Sequence, residues 1–468
     1  MTNGKRITYR IPLLFLLLCI PSTYVQAQCS MPWTKLYPAS SPYPRSSHAM
    51  AYYYFDATYK GVLLFGGHQF SLFSDTWKWD GNNWQQVPLS SPPNHPCARR
   101  GHDMVFAASS RFRKSVVLFG GSCGIPQLRS DTWEWDPKTE RWTELKPASS
   151  PPARYYHAMA YDQSRDRVVV FGGVSGAPPW PQSMLNDTWE WDGRKWTLRN
   201  TSSSPQARHG HRMVFDSNRK VVVLFGGADN TQLFSDTWEW DGNNWTQRFP
   251  ARSPLGRERP EIAYDPIDRR VILFGGEVNQ STWPSETWDW DGINWSKRNP
   301  NQAPQGLSRH AMVYDVARSR IVLFGGHNSY GVSFSETWEY GPTIMGDKTT
   351  VPLGRTVTFT LNAGMCDASL TYQVASSFGT GPIQIDTRQI DLSPDSLLWM
   401  SLSGLFPSIF QNYSGTISSQ GTASAAISIP NSPTYIGLNI YSAFVTLSSS
   451  APSGIKSISN TETFMVTK

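Results

Sequence analysis

Arg167-Val168-Val169-Val170-Phe171-Gly172-Gly173, followed by Asp187-Thr188-Trp189-Glu190-Trp191-Asp192-Gly193 and then Trp196, is the stretch that decides the fold. Val168 to Phe171 is a β-branched run that ends in glycine, the pattern of a buried strand. The paired glycines admit backbone angles that other residues resist and let another backbone approach closely. In Trp189-Glu190-Trp191 the period is two, so both indoles lie on one sheet face. Asp192-Gly193 is a hairpin-turn signal. Upstream, His157, Met159 and Tyr161 alternate with Ala158 and Ala160 and supply one more strand. The unit therefore predicts four antiparallel strands.

The unit recurs with a period of about 50 residues. Phe-Gly-Gly ends at Gly67, Gly121, Gly173, Gly227, Gly276 and Gly326. An acid-Thr-Trp triplet follows each time, beginning at Asp75, Asp131, Asp187, Asp236, Glu286 and Glu336. Trp84, Trp142, Trp196, Trp245 and Trp295 close the first five units. The sixth stops at Trp338-Glu339-Tyr340 and Gly341-Pro342, one strand short. Pro32-Trp33-Thr34-Lys35-Leu36 matches the missing strand, as comparison with Arg141-Trp142-Thr143-Glu144-Leu145 shows. The N-terminal strand is expected to complete the last blade and so remove an open sheet edge.

These elements, repeated in order over roughly residues 31 to 341, resemble the kelch-repeat β-propeller family (the galactose oxidase/kelch type), in its exported bacterial form with an appended C-terminal β domain. The resemblance implies four-stranded blades around a central channel. The expected fold is all-β: a six-bladed kelch β-propeller closed by an N-terminal strand, plus a C-terminal antiparallel β-sandwich-like domain. Its expected boundaries are 1–27 for a signal peptide, 28–342 for the propeller and 343–468 for the tail. In the tail the kelch motifs stop, and Thr356 to Leu361, Leu370 to Val374 and Ala443 to Leu447 alternate as strands.

Composition excludes several classes. Aromatics make up 13% of the 468 residues and charged side chains only 17%, which is not a disordered composition. Lys5, Arg6 and Arg10, then the apolar Ile11 to Ile20, then Val25-Gln26-Ala27, read as a secretory signal. Removing it lowers the formal charge from +6 to +3. No Lys/Arg block remains, so nucleic acid is not an expected partner. No later apolar run is long enough for a transmembrane segment. Gln28 before Cys29 is not the small residue a lipid-anchor motif wants. The chain thus reads as secreted, extracellular or periplasmic.

The mature cysteines are Cys29, Cys97, Cys123 and Cys366, an even number that fits disulfides in an exported chain and matches no zinc spacing. Cys97 precedes the first strand of unit two and Cys123 follows its second, so a bridge within that blade is expected. Cys29 and Cys366 are the candidates for a second bridge.

Site candidates separate by register. Seventeen Trp are in register, and burying each removes about 150–250 Å² from water, or roughly 4–6 kcal/mol per ring. Those rings are packing. Trp180 and Trp283 lie outside the register in proline-flanked loops and are candidate stacking platforms. His48, His102, His157, His211 and His310 share one register from five different blades, so they read as a repeated structural contact rather than a metal site. Arg45, Arg99, Arg154, Arg208 and Arg257 stand three residues before that register, where guanidinium forks would suit carboxylates. Unit five departs from the repeat with Arg257-Glu258-Arg259-Pro260-Glu261, which makes Glu258 and Glu261 candidates too.

Two functions fit. One is a non-catalytic scaffold for an extracellular protein or carbohydrate ligand, without cofactor or metal. The other is an exported sugar-active enzyme, as the resemblance to sialic-acid mutarotase-like or galactose-oxidase-like kelch proteins implies. The tail has no His to offer the copper site of the latter. A ligand site is expected on the face carrying the loops after the diglycines.

Overall fold

The computed structural model describes residues 31–468, apart from 57, 89–93, 125–126, 177–182, 280–281, 301, 365–366, 386–387 and 452. The expected secretory leader, Cys29, Cys366 and Trp180 lie outside the described residues, and the expected Cys29–Cys366 bridge with them.

Each repeat folds into a four-stranded antiparallel sheet, and six such blades form. Blade 3 is representative: Ala158–Asp162, Arg167–Phe171, Thr188–Trp191 and Trp196–Arg199, in that spatial order. Blade 6 takes its outer strand from the N-terminus, with Trp33 opposite Tyr340 and Leu36 opposite Thr337. The six innermost strands neighbour one another in a closed cycle, blade 6 returning to blade 1.

Repeated spacing becomes packing at the blade boundaries. Val117 and Phe119 of blade 2 share a buried cluster with Met159, Val168, Val170, Trp191 and Trp196 of blade 3. The closing Trp of each unit reaches further. Trp196 Nε1 donates to Thr132 Oγ1 of the previous blade at 2.9 Å. The same bond recurs from Trp142, Trp245 and Trp295 to Thr76, Thr188 and Thr237. Trp33 donates to Thr287 and Trp84 to Thr337, so the ring of bonds closes through the N-terminal strand. The Thr of the acid-Thr-Trp triplet is the acceptor for the neighbouring blade.

The diglycine makes a second boundary contact. Gly173 donates its N–H to the Arg208 carbonyl of the next blade at 2.9 Å. A Cβ on Gly172 would lie 2.8 Å from that same carbonyl, and both glycines have positive φ, 61° and 97°. Only glycine meets both conditions.

The tail forms a four-stranded sheet and a larger sheet around one core that includes Phe359, Ile427, Val374, Phe444 and Phe464. The expectation of a purely antiparallel sandwich needs correction. Thr350–Pro352 pairs in parallel with Glu462–Thr467, because the chain crosses between sheets there, and a short helix, Ser396–Leu402, covers one side. Blade 6 touches the tail through Gln389 N to Ala317 O at 2.7 Å and Arg320 Nη2 to Ile458 O at 3.3 Å. Among the described residues no helix is long and apolar enough to cross a membrane.

Candidate functional site

The register arginines are enclosed within the blades. Arg154 is fully buried. Its Nη1 and Nη2 grip both oxygens of Asp187 at 2.7 Å, Nη1 also reaches Gly172 O at 3.0 Å, and Nε reaches Pro152 O at 3.0 Å. Arg45, Arg99 and Arg208 repeat this grip on Asp75, Asp131 and Asp236, while Arg257 holds Glu286 through Nη2 at 3.0 Å. Trp189 Nε1 adds a third donor to Asp187 at 2.7 Å. The acid of each triplet thus ties the first strand's approach to the third strand. These five guanidinium groups face acids of their own blades, which corrects the reading of them as forks open to a ligand's carboxylate. In blade 6 buried Leu307 takes the Arg position, and Glu336 is held instead by Lys35 at 2.5 Å.

The register histidines are buried edge-on against the Phe of the preceding blade, as His157 is on Phe119 with 5.4 Å between ring centres. Burial pushes His102 and His310 down to about 3, with Arg99 and Arg212 respectively adding to the shift. They are neutral packing groups at physiological pH. Cys97 and Cys123 are joined, with 6.2 Å between Cα atoms.

The mouth itself is built by the residue two places after the register Arg: Ser47, Gly101, Tyr156, Gly210, Arg259 and Arg309. Their backbones form a closed ring. Tyr156 N–H donates to Gly101 O, Gly101 to Ser47, Ser47 to Arg309, Arg309 to Arg259, Arg259 to Gly210 and Gly210 to Tyr156, at 2.6–3.3 Å. All six have positive φ, between 51° and 64°. Glycine takes that conformation freely, whereas each other residue pays about 1–3 kcal/mol. Tyr156, Arg259 and Arg309 hold a conformation that glycine takes in two sister blades, which marks their side chains as candidates for a role beyond the fold.

Those side chains converge. The Arg259 guanidinium lies 4.8 Å from the Tyr156 ring centre, and Tyr156 Oη is 3.5 Å from Ser47 Oγ. Glu258 Oε1 holds Arg259 Nη1 at 2.6 Å, and Glu277 Oε2 stands 3.6 Å from the same nitrogen. Arg309 and Arg100 have no ion-pair partner among the described residues. Buried polar atoms without a hydrogen-bond partner gather here: Arg309 Nε, Arg259 Nε, Glu258 Oε2, Ser308 Oγ, His209 Nδ1 and His327 Nδ1. Such groups are costly unless something satisfies them.

The electrostatics favour an anion. Burial works against ionising Tyr156, yet Arg309 and Arg259 outweigh it and hold the phenol below its ordinary value. Burial and Arg259 push His209 down to about 4, and burial and Arg309 push His327 to about 3, so neither adds charge at neutral pH. Burial, then Glu258, raises Glu277. Trp283 is half-buried at the rim, its ring centre 6.4 Å from that of His327. Of the residues singled out by sequence, Glu258 and Trp283 therefore reach this mouth. Tyr156, Arg259 and Arg309 were missed as a group. Their signal was a register that holds Ser, Tyr and two Arg beside two glycines inside an otherwise regular repeat.

Known proteins resemble part of this ring. Residues 107–264 match the family described as the KLHDC2/KLHL20/DRC7 Kelch-repeats domain. Mei4-dependent protein 6 of Schizosaccharomyces pombe is 29% identical over 138 residues, covering 28% of this chain and 19% of its own. Putative adagio-like protein 2 of Oryza sativa is 29% identical over 178 residues, covering 36% of this chain and 26% of its own. The matched stretch is about a fifth to a quarter of the length of these relatives.

Proposed function

We propose that this chain, with its kelch-repeat domain over residues 107–264, is a secreted, non-catalytic six-bladed propeller that acts as a binding scaffold. Its ligand is an extracellular protein or carbohydrate presenting a carboxylate, bound at the mouth ring. In this reading residues 28–342 are the propeller and 343–468 a separate C-terminal β domain. One observation carries it: Arg309 is a cation without an ion-pair partner among the described residues, in strained backbone, beside Arg259 and Tyr156. A carboxylate would take both guanidinium groups and could accept from the Tyr156 hydroxyl. Trp283 at the rim offers an aromatic face for a sugar or a peptide side chain.

A second reading, the sugar-active enzyme, draws on Tyr156, whose phenol is held below its ordinary value, and on Glu258 and Glu277 at the same mouth. The test is an array of acidic and neutral glycans and peptides probed with the mature protein, run beside a sugar-mutarotation assay. Binding confined to carboxylate ligands and lost in Arg309→Ala supports the scaffold. Turnover lost in Tyr156→Phe supports the enzyme. Ligand binding that survives Arg309→Ala and Tyr156→Phe, but not substitutions in the hairpins after Trp79 or Trp240, places the site on the opposite face and overturns both readings.

A further inference from the structure

One residue further along, directly after the His register, each innermost strand carries Ala49, Asp103, Ala158, Arg212, Glu261 or Ala311. Three blades use alanine, so the repeat does not need a polar group there. Three carry a charge into the channel, where desolvation is costly. Asp103 has a structural use. Its carboxylate accepts from Met104 N at 2.8 Å and from Met159 N of the next blade at 2.7 Å. Arg212 and Glu261 hold chiefly each other, Nε to Oε1 at 2.5 Å, across blades 4 and 5. Arg212 Nη2 has no partner among the described residues.

Below this collar methionine and aromatic side chains dominate the channel wall, with Gln163 and Ser217 among them. A cavity of 240 Å³ is lined by the three charged residues and by Met50, Met104, Met159, Met213 and Met312. It runs into a second cavity of 310 Å³, lined by Phe106, Tyr161, Phe215, Tyr264 and Tyr314. The two share Val105, Phe106, Met159, Met213 and Val214, so they adjoin. At the end of this methionine- and aromatic-walled passage stands one guanidinium, held by Glu261 and close to Asp103, so an amphiphile with a single anionic end fits there by displacing Glu261.

We propose that the channel is a second binding site, for a monocarboxylic acid with an unbranched apolar chain. Its carboxylate sits on Arg212 and its chain lies along the methionines towards the face opposite the mouth ring. The site is independent of the mouth and of the scaffold reading. Glu261 occupies Arg212 when the acid is absent. The incoming carboxylate takes its place; where Glu261 is ionised it leaves the pair with one proton drawn from solvent and the collar keeps the same net charge, and where it is already protonated no proton is taken up. Burial and then the opposing pull of Arg212, with Asp103 adding its negative charge, leave Glu261 at about 8. Tyr156 of blade 3 also acts on Arg212. Below that pH Glu261 is neutral and yields Arg212 readily. Above it, every bound carboxylate must draw in a proton.

Isothermal titration of the mature chain with straight-chain monocarboxylates from acetate to octanoate, between pH 6 and 10, tests this. Affinity should rise about threefold to fourfold per methylene. It should fall up to about tenfold per pH unit above about 8. Glu261→Gln should keep the chain-length-dependent binding and flatten its pH profile, and Arg212→Met should abolish that binding. Arg212→Lys keeps the charge and should bind more weakly, which separates loss of the contact from loss of the fold. Absence of binding at millimolar acid, affinity indifferent to chain length, wild-type binding by Arg212→Met, or a pH slope that persists in Glu261→Gln would each overturn the proposal. A loss in Arg309→Ala alone would assign the acid to the mouth instead.

Discussion

Replacing Arg154 by Met should destabilise the propeller without touching the proposed ligand site. Arg154 is fully buried and makes four hydrogen bonds, two of them to Asp187. Met fills most of the same volume but leaves the Asp187 carboxylate with Trp189 Nε1 as its side-chain donor. Removing one partner of a buried pair costs about 3–5 kcal/mol. Asp187 keeps 23% of its side-chain surface in water, so the low end, about 3 kcal/mol, applies. With an unfolding entropy of about 2 cal/mol/K per residue, a propeller of roughly 310 residues should lose about 4–5 °C in Tm. Differential scanning calorimetry measures this, and the double variant Arg154→Met/Asp187→Leu should recover part of it, because no orphaned charge remains. An unchanged Tm in Arg154→Met, or full stability accompanied by lost ligand binding, would refute the division between enclosed register arginines and a functional mouth.

The pH dependence of stability should follow from the buried histidines first. Their folded values lie well below the ordinary imidazole range while the unfolded chain protonates near 6.5, so stability is complete above about 6.5 and falls by up to about 1.4 kcal/mol per pH unit for each His below it. Urea midpoints at pH 7.5, 6 and 5 test this, and equal midpoints would count against it. Asp75, Asp131 and Asp187 act later. Burial opposes their ionisation but the paired arginines outweigh it, so their contribution is present above about 4 and disappears as pH falls through their depressed values. Acid titration of Arg154→Met should lose part of this low-pH phase. Trp33→Phe removes the Nε1 bond to Thr287 at the closing strand and should cost about 1 kcal/mol or more, with hydrogen exchange rising first in Thr337–Tyr340. Cys97→Ser should cost about 3.5 kcal/mol by loop-closure entropy for a separation of 26 residues, checked by urea unfolding with and without reductant.

Periodicity by itself determined the blades of this protein. Strands, glycine pairs, turns and the strand borrowed from the N-terminus are local or repeated features, and each copy of the motif reports the same neighbours. The Cys97–Cys123 bridge was legible for the same reason, since adjacent antiparallel strands bring their ends together. Partners across a boundary were not legible. That Trp196 would reach Thr132 of another blade depends on how sheets stack, and that Arg154 would turn inward to Asp187 of its own blade depends on how its loop folds onto the third strand; no single strand encodes either. The tail shows the same limit: alternation marked its strands, but not the parallel pairing of Thr350–Pro352 with Glu462–Thr467. The two candidate sites depend most on tertiary structure. Tyr156, Arg259 and Arg309 are separated by about 50 to 150 residues, as are Arg212 and Glu261 by about 50, and they meet only because the ring closes and brings the same register from every blade to one axis. The sequence determined which positions depart from the repeat. Closure of the ring alone decided that those departures face one another.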